Sequence, residues 1–314
     1  MQQSVSFPET VMHFERLGDM HCATGECPVW HPGEQALYWT DIPSRCLWCW
    51  DAASGQTRRW TLPEMVGCIA ATGDDAWLLA AQTGLFAAPH LAPDAQTATL
   101  HRIADVAHAA PGMRFNDGRT DRQGRFWCST MVMDADARSN AGKLYRYDLE
   151  GLSTPILDDL MIPNGLAFSP NGRTMYLSDS HPDRGAVWIF DYDIDDGVPF
   201  NRRLLTDLHP RAGRPDGAAI DCDGAYWTCA NGEGVLLRFT PDGTLDRTVE
   251  LPMREPTMCA FGGLDMQTLF VTSAKPQDGD MAKDPLGGAV IALRVDAKGL
   301  ADTPFPGIGS ARHA

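Results

Sequence analysis

The sequence lacks any apolar run of roughly 18 residues, and its first twenty residues lack a basic segment followed by an apolar one. A membrane-spanning helix needs about 20 mostly apolar residues, and a cleaved signal needs those two segments in that order. We therefore expect neither membrane spanning nor secretion. We predict a cytoplasmic protein without a membrane partner.

Basic residues are also scarce. The 26 Lys and Arg residues are outnumbered by 41 Asp and Glu residues, which gives a net charge of −15. A surface of this sign repels phosphate backbones, so nucleic acid is not expected as a partner. Clustered carboxylates would instead suit a divalent cation.

Paired cysteine modules are missing. The nine cysteines are an odd number, spread along the chain, which is typical of reduced thiols in a cytosolic protein. The single CxxC pair, Cys46 and Cys49, lies in a strand-like stretch in which residues three apart face opposite sides. We interpret both as packing thiols and not as metal ligands.

The motifs GxSxG, HExxH and the Walker A loop are absent. Their absence argues against a covalent serine mechanism and suggests no cofactor other than a metal ion. No obligate protein partner is indicated.

Six short aromatic-rich runs recur along the chain, separated by 39 to 51 residues. They are "ALYWTD" at Tyr38, "AWLLAA" at Trp77, "RFWCST" at Phe126, "TMYLSD" at Tyr176, "AYWTCA" at Trp227 and "TLFVTS" at Phe270. Each is preceded and followed by another short apolar stretch closed by turn residues, and helical periodicity is nearly absent. This period is typical of propeller blades.

We therefore predict an all-β fold, a six-bladed β-propeller, with a metal site at one end of the central channel. The alternatives are a pair of β-sandwiches or a β-helix. A sandwich would not explain six similar units, and the coils of a β-helix are shorter. We expect one domain over residues 1–314, in which 1–15 and 305–314 are extended ends.

A polar residue opens the first strand of four repeats, 10 to 12 residues before the aromatic residue. These are Glu26, Asn116, Asn164 and Asp216, and the other two repeats place Val66 and Thr257 near this point. Equivalent positions of radial blades converge on the central axis. The two carboxylates there would repel each other, and all four side chains would be poorly solvated, unless they held a divalent cation. Asn or Asp before Gly is also an ordinary turn former, which is the alternative.

Four segments in order make the chain resemble the SMP-30/gluconolactonase/LRE-like family. They are "GECPVWHPGEQALYWTDIPSRCLWCWD", "RFNDGRTDRQGRFWCSTM", "PNGLAFSPNGRTMYLSDS" and "RPDGAAIDCDGAYWTCANGEGVLLRFTPDG". The resemblance implies that Glu26, Asn164 and Asp216 bind one divalent metal ion, which could be Ca²⁺, Zn²⁺, Mn²⁺, Mg²⁺ or Fe²⁺. It also implies that Arg114 and Asn116 contact substrate, with Asn116 close to the metal.

The chain departs from the family pattern at two positions. Asp134, three residues after Met131, stands where regucalcin-like members have a glutamate that touches substrate hydroxyls, so we predict that Asp134 binds substrate and that the sugar differs. Cys27 stands where glycine is usual, which we interpret as a packing detail. Asp117 follows Asn116 in the same motif and is expected to order the site.

The resemblance predicts a metal-dependent sugar lactonase that hydrolyses a pentono- or hexono-lactone to the aldonic acid, with the sugar lactone as its small-molecule partner. We choose Asp216 as the general base that accepts a proton from the attacking water. Arg114 would grip substrate, or alternatively pair with Asp117 or Asp134. The alternative functions are an esterase or phosphotriesterase of the same fold and a non-enzymatic Ca²⁺-binding propeller.

Two further residues follow an inner strand and could reach the same rim. These are Asp179 and His181 of "LSDSHPD". For His181 we favour a surface or hydrogen-bonding role over catalysis.

Overall fold

The structure is a computed structural model that describes residues 13–209 and 213–308. Within these ranges the chain forms six antiparallel sheets. The predicted extended ends fall largely on residues 1–12 and 309–314, which lie outside the described residues. The described residues contain no helix that could span a bilayer.

Each sheet is built from consecutive strands, apart from the first short strand of the chain. That strand is β1, Phe14–Arg16. The first blade contains β2 Gly25–His31, β3 Ala36–Asp41, β4 Cys46–Asp51 and β5 Thr57–Thr61. The second contains β6 Val66–Ala71, β7 Trp77–Ala81, β8 Gly84–Ala88 and β9 His101–Asp105. The third contains β10 Met113–Thr120, β11 Phe126–Val132, β12 Gly142–Asp148, β13 Gly151–Leu152 and β14 Leu157–Leu160, with a 3₁₀ turn at Ala135–Ala137.

The last three blades follow the same plan. The fourth contains β15 Pro163–Phe168, β16 Thr174–Asp179, β17 Ala186–Asp193 and β18 Val198–Asp207. The fifth contains β19 Arg214–Ile220, β20 Tyr226–Asn231, β21 Val235–Phe239 and β22 Leu245–Glu250. The sixth contains β23 Pro256–Gly262, β24 Thr268–Ser273 and β25 Ile291–Arg294. The predicted six-bladed propeller is thus confirmed, and each aromatic run lies in the second strand of its blade.

Burial explains why these second strands were recognisable. All six residues of β3 are buried, because the sheet packs against neighbouring blades on both faces. A strand covered on both faces has an almost continuous apolar sequence. The outer strand β18 is exposed along most of its length and mixes polar residues with exposed apolar ones such as Phe200 and Leu204.

The ring is closed by the two ends of the described chain. β1 pairs antiparallel with β25, with Phe14 opposite Leu293, and so supplies the outer strand of the sixth blade. Near the other end, Phe305 pairs with Thr72 and Gly299 pairs with Asp221, at the far ends of innermost strands. Asp302 accepts a hydrogen bond from Arg119 at 2.8 Å. This segment therefore crosses one end of the central channel, while the other end remains accessible.

Candidate functional site

The innermost strands share a break in pairing near their first residues. The register of β2 shifts between Glu26 and Val29, and that of β15 shifts between Asn164 and Ala167. The register of β19 shifts between Pro215 and Ala218. A bulge of this kind redirects the adjacent side chain. In this fold it directs the polar residues that open the strands into the channel.

These polar side chains meet in one open cavity of about 410 Å³. Five of the predicted site residues line it together: Glu26, Arg114, Asn116, Asn164 and Asp216. Of the other two repeats, Thr257 also lines the cavity, but its hydroxyl donates to the carbonyl of Gly25. Residues from all but the second blade are therefore brought to one rim.

Asn164 has a fixed orientation that leaves its oxygen free. Its Nδ2 donates to Asp216 Oδ1 at 2.6 Å and to Ser180 Oγ at 3.0 Å. The Ser180 hydroxyl donates its one proton to the Pro215 carbonyl, so towards Asn164 it can act only as an acceptor. Asn164 Oδ1 is buried and has no hydrogen-bond partner among the described residues. A buried acceptor without a partner is unfavourable unless something else satisfies it.

The backbone beside Asn164 is equally constrained. Gly165 has a left-handed φ of 60°, and its carbonyl accepts from the Tyr226 hydroxyl at 2.8 Å. A β-carbon at this position would collide with that hydroxyl and lie 2.7 Å from Ser178 Oγ. Asp117 accepts from the next amide, Leu166 N, at 2.8 Å. The strand that presents Asn164 is thus held by two neighbouring blades.

Two of the three carboxylates that line the cavity, Glu26 and Asp216, are in an electrostatically unfavourable environment unless a cation compensates them. Burial raises the pKa of Glu26 well above its ordinary value, and the charges of Asp216 and Asp117 raise it further. Burial also raises the pKa of Asp216 to about 7, although the charge of Arg214 opposes this shift. Both shifts have the direction expected of anions that lack a compensating cation.

Arg114 and Asn116 form a connected pair on β10. Arg114 Nη1 donates to Asn116 Oδ1 and to the Phe115 carbonyl, both at 2.8 Å, and Asn116 Nδ2 donates to the Pro163 carbonyl at 3.0 Å. Arg114 forms no ion pair with either alternative partner, Asp117 or Asp134. Burial lowers the pKa of Arg114 to about 10, so the guanidinium stays charged near neutral pH.

A match to a family model identifies the family of this chain. The family model described as SMP-30/Gluconolactonase/LRE-like region matches residues 24–275, which contain all of the cavity residues named above. This chain belongs to the SMP-30/gluconolactonase/LRE-like family.

Three relatives place the chain within this family. It is 39% identical to a 6-deoxy-6-sulfogluconolactonase of Pseudomonas putida, over 90% of this chain and 95% of that one. It is 30% identical to a pentonolactonase of Haloferax volcanii, over 92% and 96% of the two chains. A solved structure of regucalcin from Agrobacterium tumefaciens, described as a calcium-binding protein, matches with a TM-score of 0.85 and 30% identity, over 94% and 97%.

The donor set fits a divalent cation in this SMP-30/gluconolactonase/LRE-like chain. Two buried carboxylates with raised pKa values and one partnerless amide oxygen are hard oxygen ligands in one place. In the part of the chain that the structure describes, no group of three or more His, Cys, Asp or Glu side chains could hold a metal ion. Any site here therefore depends on the amide of Asn164.

Other residues named from the sequence have different surroundings. Asp134 is exposed, caps the 3₁₀ turn by accepting from Asp136 N at 3.1 Å, and is not among the described residues that line the cavity. Its role in substrate binding stays a prediction. Asp179 is fully buried and accepts from the amides of Met161 and Ile162, both at 2.9 Å. It therefore fixes the backbone that leads into β15.

His181 and Cys27 also have defined contacts. His181 is buried, and its Nδ1 accepts from Asp183 N at 3.0 Å, which is a hydrogen-bonding role. Cys27 has a left-handed φ of 47°, and its thiol accepts from Ile69 N at 3.2 Å. The thiol thus links the innermost strands of the first two blades, a cohesive contact that glycine could not make.

Sequence reasoning missed three charged residues of the cavity. Arg214, Glu255 and Lys275 all line the cavity. Arg214 and Glu255 each lie two residues before a channel position, as Arg114 does before Asn116. Because residues two apart share a face of a strand, this spacing was a usable signal. Lys275 follows β24 in a loop and carried no such signal.

Proposed function

We propose that this protein is a metal-dependent sugar lactonase that hydrolyses a pentono- or hexono-lactone to its aldonic acid. The chain is a hydrolase acting on cyclic esters, as its sulfogluconolactonase and pentonolactonase relatives are. The observation that carries the finer proposal is the convergence of Glu26, Asn164 and Asp216 at one open rim, with Asn164 Oδ1 left without a partner.

Glu26, Asn164 Oδ1 and Asp216 would hold the divalent cation. Such an ion, when bound, polarises a carbonyl as a Lewis acid and lowers the pKa of bound water. The name of the Agrobacterium tumefaciens neighbour favours calcium. Oxygen ligands of this type also accept Mn²⁺, Mg²⁺, Zn²⁺ or Fe²⁺.

The remaining chemistry is assigned to residues of the chain. Asp216 accepts a proton from the water that attacks the lactone carbonyl, and the same proton then returns to the ring oxygen when the ring C–O bond breaks. One water is consumed and one hydroxy acid is formed. The Asp216 pKa of about 7 applies to the metal-free chain, and a bound cation would lower it and keep the base ionised at neutral pH.

Arg114 and Asn116 would position the substrate. Arg114 is held against Asn116 and the Phe115 carbonyl, so its free donors have a defined direction. A planar guanidinium can bind sugar hydroxyls or the oxyanion that forms at the carbonyl. Because its charge is partly desolvated, such a bond is stronger than it would be in water.

The test is a panel of sugar lactones, assayed by acid release with protein that was stripped with EDTA and reconstituted with one metal at a time. We expect hydrolysis to be lost on stripping and restored by at least one divalent ion. A higher kcat/KM for an aryl phosphotriester than for every lactone would favour the phosphotriesterase alternative. Chelation that lowers Tm without any lactone hydrolysis in the loaded protein would favour the binding-protein alternative.

A further inference from the structure

Two of the cations that line the cavity form no salt bridge with a carboxylate among the described residues. Arg214 opens β19 two residues before Asp216, and Lys275 lies in the loop after β24. By contrast, Arg203 on the outer strand β18 is paired with Asp191 at 2.7 Å. An unpaired cation beside a substrate cavity leaves its charge available to a ligand.

Arg214 is held in place by a buried amide. Its Nη2 donates to Asn231 Oδ1 at 2.6 Å. Asn231 is only 5% exposed, and its Nδ2 donates to the Pro256 carbonyl at 3.2 Å, which fixes the amide orientation. A single hydrogen bond uses one of the five donors of a guanidinium. Asn231 therefore acts as a positioning residue that leaves most of the Arg214 fork free.

The charge balance of the cavity is opposite to that of the whole protein. A divalent cation would neutralise Glu26 and Asp216, and the remaining lining charges are one carboxylate, Glu255, against three cations, Arg114, Arg214 and Lys275. The metal-loaded cavity is thus positive in a chain whose net charge is −15. A concave positive site attracts anionic ligands, whereas the negative surface around it repels them.

We propose that the natural lactone carries an anionic substituent, and that Arg214 and Lys275 bind it at the mouth of the cavity. This inference rests on the proposed lactonase function. Arg114 is bonded to Asn116 on the innermost strand β10, whereas Arg214 is held by Asn231 and Lys275 lies in the loop after β24. On this assignment Arg114 and Asn116 face the reacting carbonyl, and Arg214 and Lys275 face the charged substituent. A sulfonate, a phosphate and a carboxylate share the oxygen acceptors that a guanidinium and an ammonium bind.

The experiment compares gluconolactone with three analogues that carry a sulfonate, a phosphate or a carboxylate at C6. Metal-loaded wild type is expected to hydrolyse at least one charged analogue with kcat/KM about tenfold or more above that of gluconolactone. The analogue with the highest value identifies the anion. Arg214→Gln should reduce kcat/KM for that analogue by about 10- to 100-fold, mainly through KM, because a charge-assisted hydrogen bond is lost. Because the charge of Arg214 also acts on Asp216, hydrolysis of gluconolactone serves as the internal reference, and the ratio of kcat/KM for that analogue to kcat/KM for gluconolactone should fall about 10-fold or more.

Two further variants make the result specific. Lys275→Gln removes an exposed charge whose loss should not disturb folding, and we expect it to weaken selection for the charged analogue about 3- to 10-fold. Arg202→Gln is the matched control, since Arg202 stacks over the Trp188 ring at 5.2 Å on an outer strand and does not line the cavity. It should leave the kinetics on all four lactones as in wild type.

The outcomes separate this inference from the function on which it rests. If gluconolactone is hydrolysed as well as every charged analogue, or if Arg214→Gln and Arg202→Gln show the same selectivity as wild type, the anionic subsite is refuted while the lactonase function stands. If no lactone is hydrolysed by the metal-loaded protein, both are refuted.

Discussion

Replacing Asp216 by asparagine should make the metal-free protein more stable and the metal-loaded protein nearly inactive. The substitution keeps the shape of the side chain and leaves an oxygen to accept from Asn164 Nδ2, the 2.6 Å bond seen in the structure. It removes a buried charge that is compensated only when a cation is bound. The same residue therefore lowers stability in one state and supports catalysis in the other.

The size of the stability effect follows from the Asp216 pKa. A rise from 3.8 to about 7 makes the ionised form about 4 kcal/mol less favourable in the fold than in the unfolded chain. Because the folded-state pKa lies above the unfolded value, the penalty is absent below about pH 4, grows up to about pH 7 and is complete above that. Relaxation and entering water reduce it, so we expect Asp216→Asn to gain about 1 to 3 kcal/mol at pH 8.

The assay is denaturant unfolding in EDTA at pH 4 and pH 8, combined with lactone hydrolysis by the metal-loaded variant. Loss of the general base should lower kcat by about 10²- to 10⁴-fold. Asp94→Asn, at an exposed carboxylate, serves as the matched control and should change neither quantity. A variant that is no more stable than wild type at pH 8 in EDTA would refute the electrostatic reasoning, and full activity would remove the assignment of Asp216 as base.

Three further predictions concern the neighbours of Asp216. Asn164→Ala removes the partnerless oxygen and should weaken metal binding in calorimetry by about tenfold or more. It also removes two buried hydrogen bonds from Nδ2, so Tm in EDTA should fall as well. Gly165→Ala should cost more than about 3 kcal/mol of unfolding free energy, because it adds a collision with Tyr226 to the strain of positive φ; Gly55→Ala, with φ 69° and open space, should cost only about 1 kcal/mol. Asn231→Ala should raise KM for the preferred anionic lactone more than it lowers kcat, whereas a purely structural role would reduce Tm without that split.

Much of the fold could be predicted from the sequence because the second strands are covered on both faces. The strands "ALYWTD" and "TMYLSD" are almost wholly buried and have aromatic and aliphatic centres for that reason, and their spacing revealed the blades. The closing strand Phe14–Arg16 could not be recognised, since three residues carry no periodic pattern and their partner is distant in sequence. The segment that crosses the closed end of the channel likewise has no strand pattern, because it is held mainly by isolated bridges and by Arg119.

The candidate site was predictable where blade geometry alone determines it. Equivalent positions in a radial array converge, which brought Glu26, Asn164 and Asp216 together without any local motif. The partnerless oxygen of Asn164 could not be predicted, since the orientation of the amide depends on the hydrogen bond from the Ser180 hydroxyl to the Pro215 carbonyl. The capping role of Asp134 could not be predicted either, because the three-residue 3₁₀ turn that it precedes is too short to show a periodic sequence pattern.

A crystal structure of the protein loaded with Mn²⁺, with anomalous diffraction data, tests the central claim most directly. We predict one strong anomalous peak in the open cavity, with oxygens of Glu26, Asn164 and Asp216 at coordination distances of about 2.0 to 2.6 Å. An ion bound elsewhere, or a cavity without a peak in protein whose lactone hydrolysis depends on Mn²⁺, would contradict the account.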